Sequence, residues 1–423
     1  MLRQVYSLLL LLATPLIVLR LYFKSVAAPS YRRRIGERFA AFSLPTQWGS
    51  AKKTLWIHAV SVGEVVAAAP LVRALLKNAE FNILMTTTTP TGAERVGALF
   101  GDTVHHVYAP YDLGFVIRKF LARVKPELLI IMETELWPNT VHFANRQGVK
   151  ILLANARLSE KSARGYQRVS SMTRPLLQSI DIIAAQAEAD RRRFIDLGAD
   201  EKSTVVTGSL KFNIDITADK KSSEPFFIAA GNLDRLIVIA ASTREGEEAR
   251  VLDAWNILTG DVHKPLLILV PRHPERFASV AELCRSQGWA VQRRSESDSI
   301  AADTDIVIGD SMGEMLAYYG LADIAFVGGS LVDTGCQNVL EPAALGVPVV
   351  VGPSQFNFEA ICQQLESAGA LVTVQDSSAL ATTLSKLLAD PDERKKMGLA
   401  GQALVAENQQ ALPRLLELIH ELG

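Results

Sequence analysis

Hydrophobic and polar positions divide the chain into three regimes. Residues 5–19 are almost continuously apolar, broken mainly by Ser7, Thr14 and Pro15. Counted from 2 to 23, the run approaches the roughly 20 residues that cross a bilayer. From residue 55 to about 208, short apolar runs rich in β-formers alternate with helical stretches. The runs at 55–60, 81–86, 104–108, 127–132, 150–153, 181–185 and 204–207 predict strands, and 65–76, 114–123 and 189–197 predict helices. Residues 208–235 are polar and charged and read as a connection between two lobes. The rhythm then restarts, with strands expected at 236–241, 265–270, 290–293, 305–308, 324–327 and 347–351. Helices are expected between them, for example at 245–258 and 274–287, and 379–389 and 392–422 close the fold as helices. Repeated βα units imply an α/β protein with parallel sheets. The architecture drawn from this is two doubly wound lobes with a cleft between them. Its boundaries are an anchor at 1–23, a first lobe at 24–215 and a second lobe at 216–423.

The basic residues around the apolar run orient it. Arg20, Lys24, Arg32, Arg33, Arg34 and Arg38 follow it, whereas only Arg3 precedes it. The positive-inside rule then places the bulk of the protein in the cytoplasm. An uncleaved anchor is favoured over a cleavable signal peptide, because the positive charge lies after the apolar run and no cleavage site stands out. A segment lying in the interface is the third reading, since Pro15 and a short core weaken a full span. The Arg32–Arg34 cluster suits anionic headgroups. At 423 residues and 48% hydrophobic, the chain can fill two or three cores. A net charge of −1 does not suggest nucleic acid as a partner. Three cysteines without CxxC or Cys/His metal spacing argue against a disulfide framework and structural zinc.

Candidate chemistry collects at expected strand ends. In open α/β sheets, ligands sit beyond the carboxyl ends of strands. Glu64 follows the 55–60 strand across a turn at 61–63, at the start of a helix. It reads either as a cap or as a base that removes a proton from a substrate hydroxyl. METELWPN at 132–139 places Glu133 and Glu135 beside Trp137, on one side of the chain if it stays extended. Lys211 ends the first lobe and suits a leaving phosphate or an acidic substrate. In the second lobe, VPRHPERF at 270–277 offers Arg272 to a phosphate. GDSMGEML at 309–316 offers the backbone N–H groups of Met312, Gly313 and Glu314 as an anion cradle. In the glycine-rich stretch at 328–348, Asn338 opens a helix and Glu341 stands at capping-box spacing. The alternative role for Glu341 is to accept ribose hydroxyls. No GxGxxG fingerprint follows an opening strand and no P-loop occurs. A hydrolase elbow is not expected.

Six ordered motifs resemble one family: HAVSVGE (58–64), ETELWPN (133–139), GSLKF (208–212), PRHPERF (271–277), GDSMGEM (309–315) and NVLEPAALGVPVVVGP (338–353). Together they resemble the 3-deoxy-D-manno-octulosonic acid (Kdo) transferases across essentially the whole chain. The resemblance implies GT-B architecture, two Rossmann-like lobes with a membrane anchor. It also implies transfer of Kdo from CMP-Kdo to the lipid A precursor, lipid IVA, on the cytoplasmic face of the bacterial inner membrane. It implies Glu64 as the general base of an inverting reaction, and Glu133 and Lys211 in transition-state stabilisation. It implies CMP contacts at Pro271, Arg272, Met312, Gly313, Glu314, Asn338, Val339, Leu340 and Glu341. One departure stands out, because Gly335-Cys336-Gln337-Asn338 replaces the commoner GGHN and a charge-bearing histidine is missing. No cofactor is expected beyond the co-substrate CMP-Kdo. A single phosphodiester needs only local positive groups, and no DxD motif is suited to a divalent ion. The implied partners are therefore the donor, the lipid acceptor and membrane lipids. Another GT-B enzyme using a UDP-sugar, either a transferase or an epimerase, is the competing enzyme, and a membrane scaffold without activity is the competing class.

Overall fold

The structure is a computed structural model. It describes every residue except 1, 28, 46–47, 49–51, 78–79, 215–224, 232, 259–264 and 423. The chain separates into two compact units, Met1–Asn213 with Asn408–Gly423, and Ile214–Glu407.

The first unit is built on a seven-stranded parallel sheet. Its strands are β1 (Lys53–His58), β2 (Phe81–Thr87), β3 (His105–Tyr108), β4 (Leu128–Met132), β5 (Lys150–Ala156), β6 (Ile182–Ala185) and β7 (Thr204–Val206). They lie in the order β3-β2-β1-β4-β5-β6-β7. The order reverses direction between β1 and β4, so the carboxyl ends of these two strands frame the crevice where ligands bind in such sheets. The strands are apolar on both faces because helices cover both. Trp56, Leu129, Ile131 and Phe120 fill one side, and Ile57, Ile130, Val65 and Leu71 the other. Full burial of each large side chain contributes about 1.5–3 kcal/mol.

The second unit repeats the plan. Its strands are β8 (Ile237–Thr243), β9 (Leu266–Pro271), β10 (Val291–Arg293), β11 (Ile306–Ile308), β12 (Ile324–Val327), β13 (Val349–Val351) and β14 (Leu371–Thr373). Their order is β10-β11-β9-β8-β12-β13-β14. Here the direction reverses between β8 and β12. Both sheets are α/β, as the hydrophobic rhythm predicts.

Several elements differ from expectation. The short strand β14 was not anticipated, since three residues carry no readable period. The single closing helix expected over 392–422 is two, Pro391–Asn408 and Ala411–Leu422. The second of these belongs to the first unit, so the boundary drawn at 216–423 is corrected. Ala411, Leu415 and Ile419 are buried in the core beside β1. An amphipathic stripe announces a helix but does not say which core receives it. Much of the connection expected at 208–235 lies outside the described residues, although Pro225–Gly231 within it is helical. At the other end, a helix runs from Leu2 to Ala27, and Leu2–Ser25 is long and apolar enough to cross a membrane.

Candidate active site

In the first unit the site begins at the carboxyl end of β1. The helix there runs Val62–Lys77, so Glu64 lies in its first turn rather than opening it. The Ser61 hydroxyl accepts from the Glu64 N–H (3.3 Å) and donates to Glu64 Oε1 (2.8 Å), and the Val60 N–H donates to Glu64 Oε2 (2.9 Å). This is a reciprocal cap, and Glu64 is also only 6% exposed. Burial pushes its carboxyl up to about 7, against the two hydrogen bonds, and the charges of Glu135 and Glu133 add to the rise. A carboxylate of that pKa is poised for proton transfer near neutral pH.

Glu133 and Glu135 follow β4, the other strand of the switch point. The expectation of an extended chain fails here. Glu133 has φ 55°, so the chain turns at the strand end, and its N–H donates to the Ala154 carbonyl (2.9 Å). Trp137 Nε1 donates to Glu135 Oε2 (3.0 Å). His58 stands edge-on to Trp137, with ring centroids 4.6 Å apart. Its Nδ1 meets the Thr86 hydroxyl at 2.8 Å, and that hydroxyl accepts from Trp56 Nε1 at 2.9 Å. Burial holds the imidazole neutral, pushing it down to about 3. His58 therefore packs against Trp137 as a neutral ring. Lys211 sits on a 3₁₀ turn, Leu210–Phe212, after β7, and this turn packs against the helix of Glu64. The Leu210 N–H donates to Oδ1 of the fully buried Asn155 (3.0 Å), which holds the turn to β5.

In the second unit the switch point is closed by a carboxylate that was not singled out in the sequence. Glu247, fully buried, accepts four backbone N–H groups. Arg244 (3.0 Å) and Gly329 (2.6 Å) donate to Oε2, and Ser330 (3.0 Å) and Leu331 (2.9 Å) to Oε1. It thereby ties the turn after β8 to the glycine-rich loop after β12. Desolvation raises its carboxyl pKa despite these bonds. A Cβ on Gly328 would lie 2.7 Å from Thr243 Cα and 2.9 Å from Glu247 Oε2, so only glycine allows this approach. Beside it, buried Glu248 takes the Thr243 hydroxyl (2.8 Å) and both terminal nitrogens of Arg276 (2.6 and 2.8 Å). Arg276 comes from the PRHPERF motif, so the same turn also fixes the loop after β9. The STREGEE stretch at 242–248 was legible as a charged helix start, but nothing in its spacing points across to residues 329–331.

The carried-over donor residues take these places. Pro271 is buried at the end of β9 and Arg272 is exposed after it, its N–H bonded to the Thr243 carbonyl (3.0 Å). Among the described residues, the Arg272 guanidinium has no partner, whereas Arg244 donates to His273 Nε2 (2.6 Å). Met312 is 66% exposed. Gly313 has φ 86°. Glu314 accepts from Arg294 (3.3 Å). The helix after them, Met315–Leu321, is only seven residues long. Residues 309–313, GDSMG, carry the GxSxG spacing of a hydrolase elbow. The Ser311 hydroxyl pairs with that of Tyr318 (2.7 Å), and no histidine bonds to it among the described residues, so it is no triad nucleophile. Asn338 precedes its helix rather than opening it. The helix is Leu340–Ala344, with Val339 as the residue before it. The Asn338 side chain accepts from the Leu340 N–H (3.1 Å) and donates to Glu341 Oε1 (2.9 Å). Gln337, in the place of the commoner histidine, donates to the Gly335 carbonyl (3.3 Å). A cavity of this unit lies at the opposite, amino-terminal edge, near Asp234, Asp305 and Asp323, and none of the carried-over residues lines it. Among the described residues, no cluster of three or more His, Cys, Asp or Glu is placed to hold a metal ion.

Comparison with known proteins agrees with this geometry. Residues 33–214 match a family described as 3-deoxy-D-manno-octulosonic-acid transferase (kdotransferase), and residues 290–403 match glycosyl transferases group 1. A 3-deoxy-D-manno-octulosonic acid transferase of Haemophilus influenzae is 41% identical over 99% of this chain and 98% of its own. Another, of Bordetella pertussis, is 36% identical over 99% of both chains. Among solved structures, the UDP-GlcNAc 2-epimerase of Neisseria meningitidis is 13% identical with a TM-score of 0.58, covering 87% of this chain and 100% of that one. That likeness is one of fold, the GT-B class. With full-length identity at this level and the family model matching residues 33–214, the chain belongs to the Kdo transferase family of glycosyltransferases.

Proposed function

We propose that this Kdo transferase moves Kdo from CMP-Kdo to the lipid A precursor, lipid IVA, with inversion at the anomeric carbon. Glu64 acts as the general base. It takes the proton of the acceptor hydroxyl as the oxygen bonds to the anomeric carbon and CMP departs. The single observation carrying this reading is a buried carboxyl at the β1–β4 switch point with its pKa raised to about 7. Its neighbours Glu133 and Glu135 raise its basicity, and Glu133 with Lys211 stabilises charge in the transition state.

The second unit holds the donor. Arg272, with no competing partner among the described residues, pairs with the phosphate of CMP. Pro271, Met312, Gly313, Glu314, Asn338, Val339, Leu340 and Glu341 contact CMP. Glu247 and Glu248 hold the loops that carry these contacts. The monoanionic phosphodiester is neutralised by side chains and N–H groups, so no divalent ion is required. The N-terminal helix attaches the protein to the inner membrane with its body on the cytoplasmic side, as the basic flank implies.

The test is CMP release from freshly generated CMP-Kdo with detergent-dispersed lipid IVA, comparing the intact protein with Glu64→Gln. Acceptor-dependent release that collapses in the variant supports both transfer and base. Release unchanged by the variant reduces Glu64 to a cap. Absence of release with folded protein and intact donor refutes the proposed donor and acceptor pair.

A further inference from the structure

The N-terminal helix is tied to the first unit at both ends. At its start, Arg3 Nη1 donates to Asn139 Oδ1 (2.8 Å), and Asn139 Nδ2 donates to the Ser7 hydroxyl (2.9 Å). The Tyr6 hydroxyl bonds to Asp112. Asn139 is fully buried and is itself held by Asp112, whose carboxylate accepts the Asn139 N–H (2.9 Å). Past the end of the helix, Pro29–Arg32 folds back against it, with the Lys24 ammonium over the Tyr31 ring and the Arg32 guanidinium over Tyr22. The chain then docks again. Arg34 donates to the His106 carbonyl (2.5 Å), the Tyr108 N–H donates to Glu37 (2.9 Å), and Arg38 donates to the Thr88 carbonyl (2.9 Å). Thr88 and Asp112 follow β2 and β3, and Asn139 follows β4. Both tethers therefore lie at the carboxyl edge of the sheet, the edge that carries Glu64.

The faces of the helix agree with this placement. Residues 3, 6, 7, 10, 13, 14, 17, 18 and 21 form a partly covered stripe at helical spacing, ending at buried Ser25. The polar residues Arg3, Tyr6, Ser7 and Thr14 all fall on it, and Leu10 packs against the core. Val5, Leu8, Leu9, Leu12, Leu16, Leu19 and Phe23 form the opposite face, with Leu12 67% and Leu16 69% exposed. From Val5 to Phe23 this face rises about 27 Å at 1.5 Å per residue, a little short of the roughly 30 Å hydrocarbon core. A helix whose first turn is bonded to the same body that follows its last turn cannot place its ends on opposite sides of a membrane.

We infer that this helix does not span the bilayer: it lies along one leaflet, its apolar face in the acyl layer and its polar stripe on the protein body. Arg20 and Lys24, at the border of the apolar face, meet anionic headgroups. Because Asn139 ends the loop of Glu133, Glu135 and Trp137, the helix also sets the catalytic edge at a fixed height against the leaflet. A lipid acceptor then reaches Glu64 without leaving the membrane. The inference rests on the membrane attachment proposed above and not on the transfer chemistry.

The test has two arms on the full-length protein. A hydrophilic epitope is added at the amino terminus, and protease access is read in spheroplasts and in inverted vesicles, with an exposed loop of the body as reference. Separately, flotation with vesicles of phosphatidylethanolamine and phosphatidylglycerol is compared for the intact protein and Leu12→Gln/Leu16→Gln, which removes no packing from the body. Epitope and body cut from the same side, with a flotation affinity lowered roughly tenfold or more by the double variant, supports the in-plane helix. An epitope cut from the side opposite the body establishes a span and overturns it, while membrane attachment stands. An intact protein that self-associates but does not float shows the apolar face covered by a second copy, which overturns the helix placement and the attachment together.

Discussion

In the first unit, the groups behind the switch point are carboxylates. Glu64, Glu133 and Glu135 stand close enough for the latter two to raise the pKa of the first. In the second unit the corresponding carboxylates, Glu247 and Glu248, are consumed internally by four backbone N–H groups and by Arg276. What that unit leaves facing outward is a guanidinium, Arg272, and the N–H groups around Gly313. One sheet plan thus uses its buried carboxylates in two ways. Glu64 accepts two hydrogen bonds and lies near two like charges, which favours its protonated form, whereas four N–H donors make Glu247 a structural tie. Glu64 is placed to suit proton removal from a hydroxyl, and Arg272 to suit an anionic leaving group.

The sharpest way to break this comparison is at Glu64. Glu64→Gln keeps the size and the hydrogen bonds to Val60 and Ser61 in reach but removes the base. kcat is expected to fall about 10²–10⁴-fold while CMP affinity, read by calorimetry, stays within twofold. Next comes Glu247→Gln, which turns an acceptor of four N–H groups into a side chain that also donates. Expected is a stability loss of about 2–4 kcal/mol, read by denaturant unfolding, with weakened CMP binding. If the variant unfolds like the intact protein, Glu247 is not the tie described. Arg272→Ala is expected to weaken CMP-Kdo binding by about 1.5–3 kcal/mol, appearing in KM with kcat nearly kept. A fall in kcat alone would move Arg272 from binding to chemistry.

The smallest effect is in the pH profile. The base works deprotonated, so kcat/KM should rise with pH to a plateau above about 7. Glu135→Gln removes a repelling charge and should shift that midpoint toward acid. A midpoint that stays where it was would mean that burial alone sets the basicity of Glu64.

Much of the site was legible because strand ends and turns announce themselves locally. The runs before Glu64, Glu133, Arg272 and Asn338 are short, apolar and β-rich, and each expected strand was found within two or three residues. The mistaken details all concern conformation beyond the strand. Nothing in the local sequence announces the left-handed turn at Glu133, whose N–H bonds to Ala154 on the neighbouring strand. Glu247 was overlooked for the same reason: three of its four partners are more than 80 residues away. His58 opens the HAVSVGE motif, and burial keeps its ring neutral.

By itself, the sequence determined the α/β class, the two-lobe plan, the apolar N-terminal helix and the motifs that mark the Kdo transferases. Those rest on short-range periodicity and on residue identity, which any stretch of chain carries with it. Only the tertiary structure decided that the last helix closes the first unit, that Glu247 accepts four backbone N–H groups while Glu64 lies buried beside Glu133 and Glu135, and that the first turn of the N-terminal helix bonds to Asn139. Each of these depends on which distant groups meet, and on how much water their meeting excludes. Desolvation and long-range hydrogen bonding leave no trace in local spacing, and they alone separate two carboxylates that look the same in the sequence.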